Sequence, residues 1–323
     1  MERHVVFDFF SDSKETAITK LSDYLHIPES KIGQALKYDC SPESFINELR
    51  IDLSAYDSSA VSVVGRHVTT SSEDELLTFH KNGLLDLRTS LQGDTPLSRF
   101  LKNHKIQIDV DRKCFNYGRR SVPIEGGKNP DHICFMGKET PCSWLFGCEA
   151  FQKLGVLNTK LYELGATLEF FVAGTIEEML GYTTVSRFPE ILDTIDQFIA
   201  KMNSPYGQCM YPLCYDWMAQ YPNCYVVEFK CLLSEMDTYT PINYLDAYNE
   251  IKGCFNWSHI TYDDYYEHRI PQRVFDNRYL ISRVIDVYIY SGSEQYGSLQ
   301  PGLSIHPDAL KIYRVVEDKL VPL

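Results

Sequence analysis

The sequence predicts an α+β fold in which a small, mostly helical N-terminal region precedes a larger domain with a mixed, largely antiparallel sheet. Three observations lead to this prediction. Residues 13–53 carry two or three short helical patterns, and from residue 61 onward strand-like runs alternate with capped helices. Residues 106–124 contain two alternating runs around a polar turn, which is typical of a β-hairpin.

The boundary between the two regions is predicted in the polar stretch at 54–60, so that 1–58 is the helical region and 59–323 the α+β domain. The length of 323 residues is compatible with this division. Local signals define the N-terminal elements. A short strand-like run, VVFDFF, precedes the helices, and Ser41 followed by Pro42 predicts a capped helix start.

The larger domain opens with a β-rich run from Val61 to Val68. Ser72 with Glu75 three residues later is typical of a capping box, and Gly83 suits the position just after the helix that follows. Further strands are predicted at residues 159–173, 225–233, 279–290 and 308–316.

Composition and charge exclude several classes of protein. Hydrophobic residues make up 44% and charged residues 23%, which is typical of a globular protein and excludes a disordered chain, a fibre or a coiled coil. The net charge of −13 disfavours a general polyanion binder. Residues 99–128 nevertheless hold eight basic side chains against three acids, while residues 235–268 hold seven acids and six tyrosines. These segments are either two solvated faces or, for the basic one, a contact for a phosphate-bearing ligand.

The sequence also predicts the compartment. It contains no apolar run of the roughly 20 residues that a membrane span needs, and its N-terminal residues lack the apolar core of a secretory signal. The ten cysteines are therefore expected in a reducing cytoplasm as buried thiols or metal ligands. We expect a cytoplasmic protein without a membrane partner.

One segment combines side chains that suit a nucleotide ligand. The run Arg66-His67-Val68-Thr69-Thr70 precedes the capped helix and then Gly83-Leu84-Leu85. His67 and Thr69 are two residues apart on a predicted strand, so they share one face of the sheet. The alternative is a core strand with a hydrogen-bonded histidine and two surface threonines. The GxGxxG, GxxxxGK[ST], HExxH and GxSxG motifs are all missing from the sequence.

This arrangement resembles the first motif of the ADP-ribosyltransferase fold in its His-x-Thr form, and it is similar to nucleic-acid-directed bacterial ADP-ribosyltransferase toxins. The resemblance covers mainly residues 61–91. It implies that NAD is the substrate, that His67 contacts a ribose hydroxyl, and that Thr69 with the adjacent backbone holds the nicotinamide amide.

The family's other elements have several candidates here. An aromatic side chain should stack on nicotinamide, and arginine forks would match the pyrophosphate. The aromatic candidates are Tyr117, Tyr182 and Phe171, and the arginines are Arg66, Arg119 and Arg120.

The resemblance also implies a catalytic glutamate near the start of a late strand, where it stabilises an oxocarbenium-like transition state. The matching region lies at residues 268–275, ahead of the strand-like YLISRVI, and Gln272 stands near the expected position. Glu267 and Glu228 are the alternative carboxylates. This departure from the family's pattern leaves either a shifted register, another glutamate, or a fold kept without its catalyst.

The predicted function is therefore an NAD-dependent mono-ADP-ribosyltransferase that modifies a nucleic acid or a protein, such as a bacterial toxin or a phage-defence effector. An antitoxin or chaperone would dock on the acidic, tyrosine-rich segment. One alternative is a non-catalytic protein-interaction module of a defence or regulatory system, since tyrosine is favoured at interfaces. Another is a zinc-dependent nucleic-acid enzyme. The loose spacing of His132, Cys134, Cys142 and Cys148 favours buried thiols over a metal site.

Overall fold

The computed structural model describes residues 4–86, 89, 93–103, 106–109, 114–117, 120–123, 132–135, 138–141, 168–181, 223–238, 271–292, 295–300, 302–317 and 319–323. Helices and a mostly antiparallel open sheet appear in this part of the chain, which confirms the α+β class. Within these ranges no helix combines the length and the apolar character that crossing a bilayer requires.

The N-terminal helices form as predicted because their signals are local. Strand β1 (Val5–Phe7) is followed by α1 (Lys14–Leu25), α2 (Glu29–Ala35) and α3 (Pro42–Leu49). The hydroxyl of Ser13 accepts a hydrogen bond from the backbone N–H of Thr16, and Ser41 forms a reciprocal capping box with Ser44. Two 3-10 turns, Leu53–Ala55 and Ser58–Ala60, occupy the predicted junction.

The following elements are β2 (Val61–Ser71), α4 (Glu73–Asn82), α5 (Pro96–Asn103) and the short strands β3 (Ile106–Asp109), β4 (Cys114–Tyr117) and β5 (Arg120–Pro123). Next come β6 (His132–Phe135), β7 (Lys138–Pro141), β8 (Glu169–Ala173) and α6 (Ile176–Gly181). The last are β9 (Asn223–Leu232), α7 (Gln272–Tyr288), β10 (Gln295–Ser298), β11 (Lys311–Val316) and β12 (Lys319–Pro322).

The main sheet has seven strands in the order β10-β8-β2-β9-β11-β12, with β1 paired to β2. The β1–β2 pair is parallel, whereas β11 is antiparallel to both β9 and β12. The hairpin predicted at residues 106–124 is a three-stranded antiparallel sheet, β3-β4-β5, and β6 pairs with β7.

The chain forms two compact units. The first contains Met1–Gly65, Phe170–Thr175 and Lys230–Ser298, and the second contains Arg66–Glu169, Ile176–Phe229 and Leu299–Leu323. Fully buried side chains in the first unit include Phe7, Leu21, Ile32, Phe45 and Ile285, and in the second Tyr225, Val226 and Val227. The boundary predicted between residues 58 and 59 stays a prediction.

The strand predicted at residues 279–290 is wrong, because these residues belong to α7 and the turn after it. The buried positions Val274, Asn277, Ile281 and Val284 recur at intervals of three and four residues, which is the spacing of one helix face. Of the strand predicted at 159–173, residues 169–173 form β8 and residues 159–167 lie outside the described part of the chain.

Candidate functional site

Strand β2 carries the predicted site residues on its two faces. Arg66 and His67 are neighbours, so their side chains point to opposite faces, whereas His67 and Thr69 share a face. The guanidinium of Arg66 donates to Oε2 of Glu228 through Nε at 3.1 Å and through Nη2 at 3.0 Å. On the neighbouring strand, the Lys311 ammonium donates to Oε1 of the same carboxylate at 3.2 Å.

This arrangement separates Glu228 from His67. Since Glu228 contacts Arg66, it lies on the face opposite to His67 and Thr69. The Glu228 carboxylate is therefore held by two cations, Arg66 and Lys311. The side chains of Arg66 and Glu228 are only 17% and 13% exposed. His67 is itself buried, with 7% of its surface exposed. The structure therefore brings Arg66 and Glu228 together but does not bring Glu228 to the imidazole.

The register between β2 and β9 follows from two contacts. The first contact joins Arg66 on β2 to Glu228 on β9. The second is the hydrogen bond that the Cys231 thiol donates to the carbonyl of Val63. Val63 lies three residues before Arg66 on β2, whereas Cys231 lies three residues after Glu228 on β9. This opposite progression indicates an antiparallel pair. Three residues in the other direction, the same register places Tyr225 opposite Thr69. Tyr225 in turn lies opposite Arg314 on β11.

Thr69, Tyr225 and Arg314 thus form a polar row across three strands, on the face that carries His67. The Arg314 guanidinium donates to the Glu73 carboxylate at 2.9 Å and to the Asn223 side-chain oxygen at 2.9 Å. Glu73 is the first residue of α4, the helix that directly follows β2. The row and these two neighbours place an acid, a guanidinium, an amide and two hydroxyls on one sheet face.

The phenol of Tyr225 lies beneath this cluster. Tyr225 is 0% exposed, and burial raises the pKa of its hydroxyl, with a smaller opposing contribution from the charge of Arg314. The Asn223 side chain lies near this hydroxyl, but within the described part of the chain no group makes a hydrogen bond of good geometry with it. A buried, protonated donor without an acceptor is uncommon in folded proteins and costs free energy.

The remaining predicted site residues fall in different places. Gln272 does not begin a strand as expected, because it is the first residue of α7, where its amide donates to Asp276 at 2.9 Å and to Thr238 at 3.2 Å.

Tyr117 lies in β4, and Phe171 is buried in β8. Arg120 begins β5. The other candidates, Glu267, Tyr182 and Arg119, lie outside the described residues.

Three of the described cysteines lie in the protein interior. Cys40, Cys224 and Cys231 are buried thiols, and burial raises the pKa of Cys231. His132 and Cys134 lie in β6, whereas Cys142 and Cys148 are outside the described residues. Among the residues whose positions the structure gives, no three His, Cys, Asp or Glu side chains gather in a way that could hold a metal ion.

Sequence reasoning did not identify Tyr225, Arg314, Asn223 and Glu73 as site residues. Alternation along β9 places Tyr225 and Glu228 on opposite faces, and this signal was available in the sequence. The pairing of Tyr225 with Arg314 depends on a register between strands about 90 residues apart, which no local pattern encodes.

The ion pairs of Glu228 make a stability prediction. Glu228→Gln should lower the free energy of unfolding by about 2 kcal/mol, because Arg66 is left half-buried without its carboxylate. Urea denaturation measures this change. The matched control is Glu48→Gln, which removes an exposed pair with Lys37 at 3.4 Å and should cost no more than about 0.5 kcal/mol. Equal effects of the two substitutions would contradict a structural role for the Glu228 contact.

Comparisons with protein-family models, with curated proteins and with solved structures give no match to this chain.

Proposed function

We propose that this chain is an NAD-dependent mono-ADP-ribosyltransferase acting on a nucleic acid or a protein. The observation that carries the proposal is the order of elements around His67. The imidazole and the Thr69 hydroxyl lie on one face of β2, α4 begins two residues after that strand, and Gly83 ends the helix with φ +76°. Leu84 then forms a bridge with Ile305 that fixes the turn.

The face that carries His67 has the groups that a nucleotide substrate needs. An imidazole and a threonine hydroxyl can bind ribose hydroxyls and a carboxamide. The Tyr225 hydroxyl, which has no partner among the described residues, is a further donor on the same face. In the proposed reaction the bond from ribose C1′ to the nicotinamide nitrogen breaks and its electron pair leaves with nicotinamide. The acceptor nucleophile forms the new bond to C1′ from the other face and releases its proton to solvent.

The proposed reaction needs a carboxylate beside the substrate. The protein's part in such a reaction is to position the substrate and to stabilise the developing positive charge, for which a carboxylate is suited. Arg66 and Lys311 hold Glu228 on the face of the sheet opposite to His67, so its carboxylate does not lie beside the imidazole. Glu267 stays a candidate.

The test is incubation of the full chain with NAD labelled in its adenylate part and a cell extract, followed by separation of nucleic acid from protein. We expect label in one of the two fractions, which identifies the acceptor class. His67→Gln should reduce the labelling rate about tenfold or more, because a hydrogen bond to the ribose is worth about 1–2 kcal/mol. It should also reduce the thermal shift caused by NAD.

The matched control is His80→Gln, which changes an exposed histidine on α4 and should leave labelling unchanged. Circular dichroism of both variants checks folding. Absence of label in both fractions with the folded, unsubstituted chain would reject the transferase.

A second candidate is a non-catalytic protein-interaction module. It is favoured because two of the predicted site residues are buried or held in ion pairs. His67 is buried and Glu228 makes two ion pairs, which are the properties of structural residues. The first unit also exposes an aromatic pair, Tyr38 and Tyr290, at 85% and 50% exposure, with ring centroids 6.5 Å apart. Exposed tyrosines are favoured at protein interfaces. This candidate predicts no response to NAD at all.

A further inference from the structure

Among the residues that the structure describes, the cluster around the polar row lacks one hydrogen-bond acceptor. The Tyr225 hydroxyl is buried and protonated, and its neighbour, the Asn223 side-chain oxygen, already accepts from Arg314. Arg314 and Glu73 are better placed to meet a ligand, because their side chains are 38% and 71% exposed. A ligand group that inserts between Arg314 and Asn223 would supply the acceptor that the phenol needs.

The charges around the cluster decide which chemical class fits. Arg314 is paired with Glu73, so a carboxylate already faces the positive charge of the guanidinium. A phosphate or carboxylate at this position would meet the Glu73 carboxylate as well as the guanidinium, and like charges repel at this range. A neutral hydroxyl-bearing ligand avoids this cost.

A pair of adjacent hydroxyls matches the groups that are present. The 2.9 Å contact between Glu73 and Arg314 sets an acceptor beside a donor. One hydroxyl can donate to the Glu73 carboxylate while accepting from the Tyr225 phenol, and the next can accept from the Arg314 guanidinium. Hydrogen bonds to charged groups are stronger than bonds between neutral groups. The Glu73 carboxylate and the Arg314 guanidinium should therefore favour a ligand that has both hydroxyls of a diol.

We propose that Glu73, Tyr225 and Arg314 form a binding site for the vicinal diol of a sugar ring, such as the ribose of a nucleoside. The inference goes beyond the transferase function, because it requires neither His67 nor any transfer step. If the transferase is correct, this site holds a ribose of the substrate or of the acceptor.

Titration calorimetry with adenosine and 2′,3′-dideoxyadenosine tests the site on the full chain. We expect adenosine to bind about tenfold more tightly, because the dideoxy compound leaves the carboxylate, phenol and guanidinium without the diol. Tyr225→Phe should weaken adenosine binding about five- to tenfold and erase most of the discrimination. Glu73→Gln should weaken it to a similar extent.

Tyr288→Phe is the matched control, because Tyr288 on α7 has the other buried phenol of the described residues that lacks a hydrogen-bond partner. It should leave adenosine binding unchanged, and thermal unfolding of each variant checks that it is folded. Equal binding of the two nucleosides, no saturable adenosine binding, unchanged affinity in Tyr225→Phe, or displacement of adenosine by inorganic phosphate would each overturn the inference.

The outcomes also separate the two proposals. Selective adenosine binding that persists in His67→Gln, without transfer of label from NAD, would keep the diol site and reject the transferase. Transfer of label that depends on His67, without discrimination between the two nucleosides, would do the reverse.

Discussion

Gly83→Ala should lower the free energy of unfolding by about 3 kcal/mol, measured by urea denaturation. Gly83 follows α4 with φ +76°, a conformation that costs a residue with a Cβ about 1 kcal/mol or more. An added Cβ would also overlap the carbonyl oxygen of Ile305. That oxygen cannot move away cheaply, because it accepts a hydrogen bond from the backbone N–H of Leu84 at 3.0 Å.

The matched control for this prediction is Gly302→Ala. Gly302 has a similar φ of +83°, but an added Cβ there meets nothing within 4 Å. Only the conformational cost of about 1 kcal/mol should remain. A similar loss in both variants would show that backbone conformation alone accounts for the effect and that the Leu84–Ile305 bridge tolerates the extra atom.

Gly83 also illustrates what the sequence made predictable. The glycine after α4 and the cap at Ser41 are local features, because each depends on residues within about one turn of the chain. The α+β class follows from the same local patterns. The structure confirms these predictions, and they could be made from the sequence because they do not require knowledge of tertiary contacts.

Helix α7 was mispredicted because propensity and packing conflict in it. The segment YLISRVIDVYIY is rich in β-branched and aromatic residues, which favour strands on a propensity scale. The buried positions nevertheless follow a helical spacing, and Pro271 immediately precedes the first turn. Because the sequence pattern predicts a strand here, it places Gln272 near a strand start, whereas Gln272 is the first residue of α7.

The candidate site was predictable on one strand only. His67 and Thr69 share a face by simple alternation, but the groups opposite them come from β9 and β11. Which residue of β9 faces Thr69 depends on the register, and a shift by one residue would replace Tyr225 with Cys224 or Val226. Long-range register is decided by packing of the whole sheet, so the polar row emerged only from the structure.

Asp276→Ala should lower the free energy of unfolding by about 3 kcal/mol at neutral pH. Asp276 lies on α7 with 1% of its surface exposed. Its carboxylate accepts from the hydroxyls of Ser58 and Thr238, both at 2.8 Å, and from the Gln272 amide at 2.9 Å. Alanine leaves these three buried donors without an acceptor, which is a recognised cause of large destabilisation.

Asp276→Asn is the matched variant that keeps the shape and removes the charge. Its side-chain oxygen can still accept from Thr238 and Gln272, and the Ser58 hydroxyl can rotate to accept from the new amide. We therefore expect the asparagine variant to stay within about 1 kcal/mol of the unsubstituted chain at neutral pH. Equal losses in both variants would contradict a role for the hydrogen-bond acceptor.

The same pair makes a pH prediction whose sign is fixed by burial. Burial raises the pKa of Asp276, and the hydrogen bonds from Ser58, Thr238 and Gln272 oppose this shift only in part. The folded chain thus holds the proton more tightly than the unfolded chain. That contribution is fully present below the unfolded pKa, about 4, and is lost as the pH rises through the folded pKa. The free energy of unfolding of the unsubstituted chain, minus that of Asp276→Asn, should therefore fall as the pH rises from about 4.

Asp57→Asn supplies a control of opposite sign. Hydrogen bonds from the Ser59 hydroxyl and backbone lower the pKa of Asp57, so its contribution is present above the unfolded pKa and is lost as the pH falls through the folded pKa. The corresponding difference for Asp57→Asn should rise with pH. Urea denaturation of the three chains between about pH 3 and pH 7 measures both differences. A rising difference for Asp276 would mean that the three hydrogen bonds outweigh burial, and that α7 is held most firmly when this carboxylate is charged.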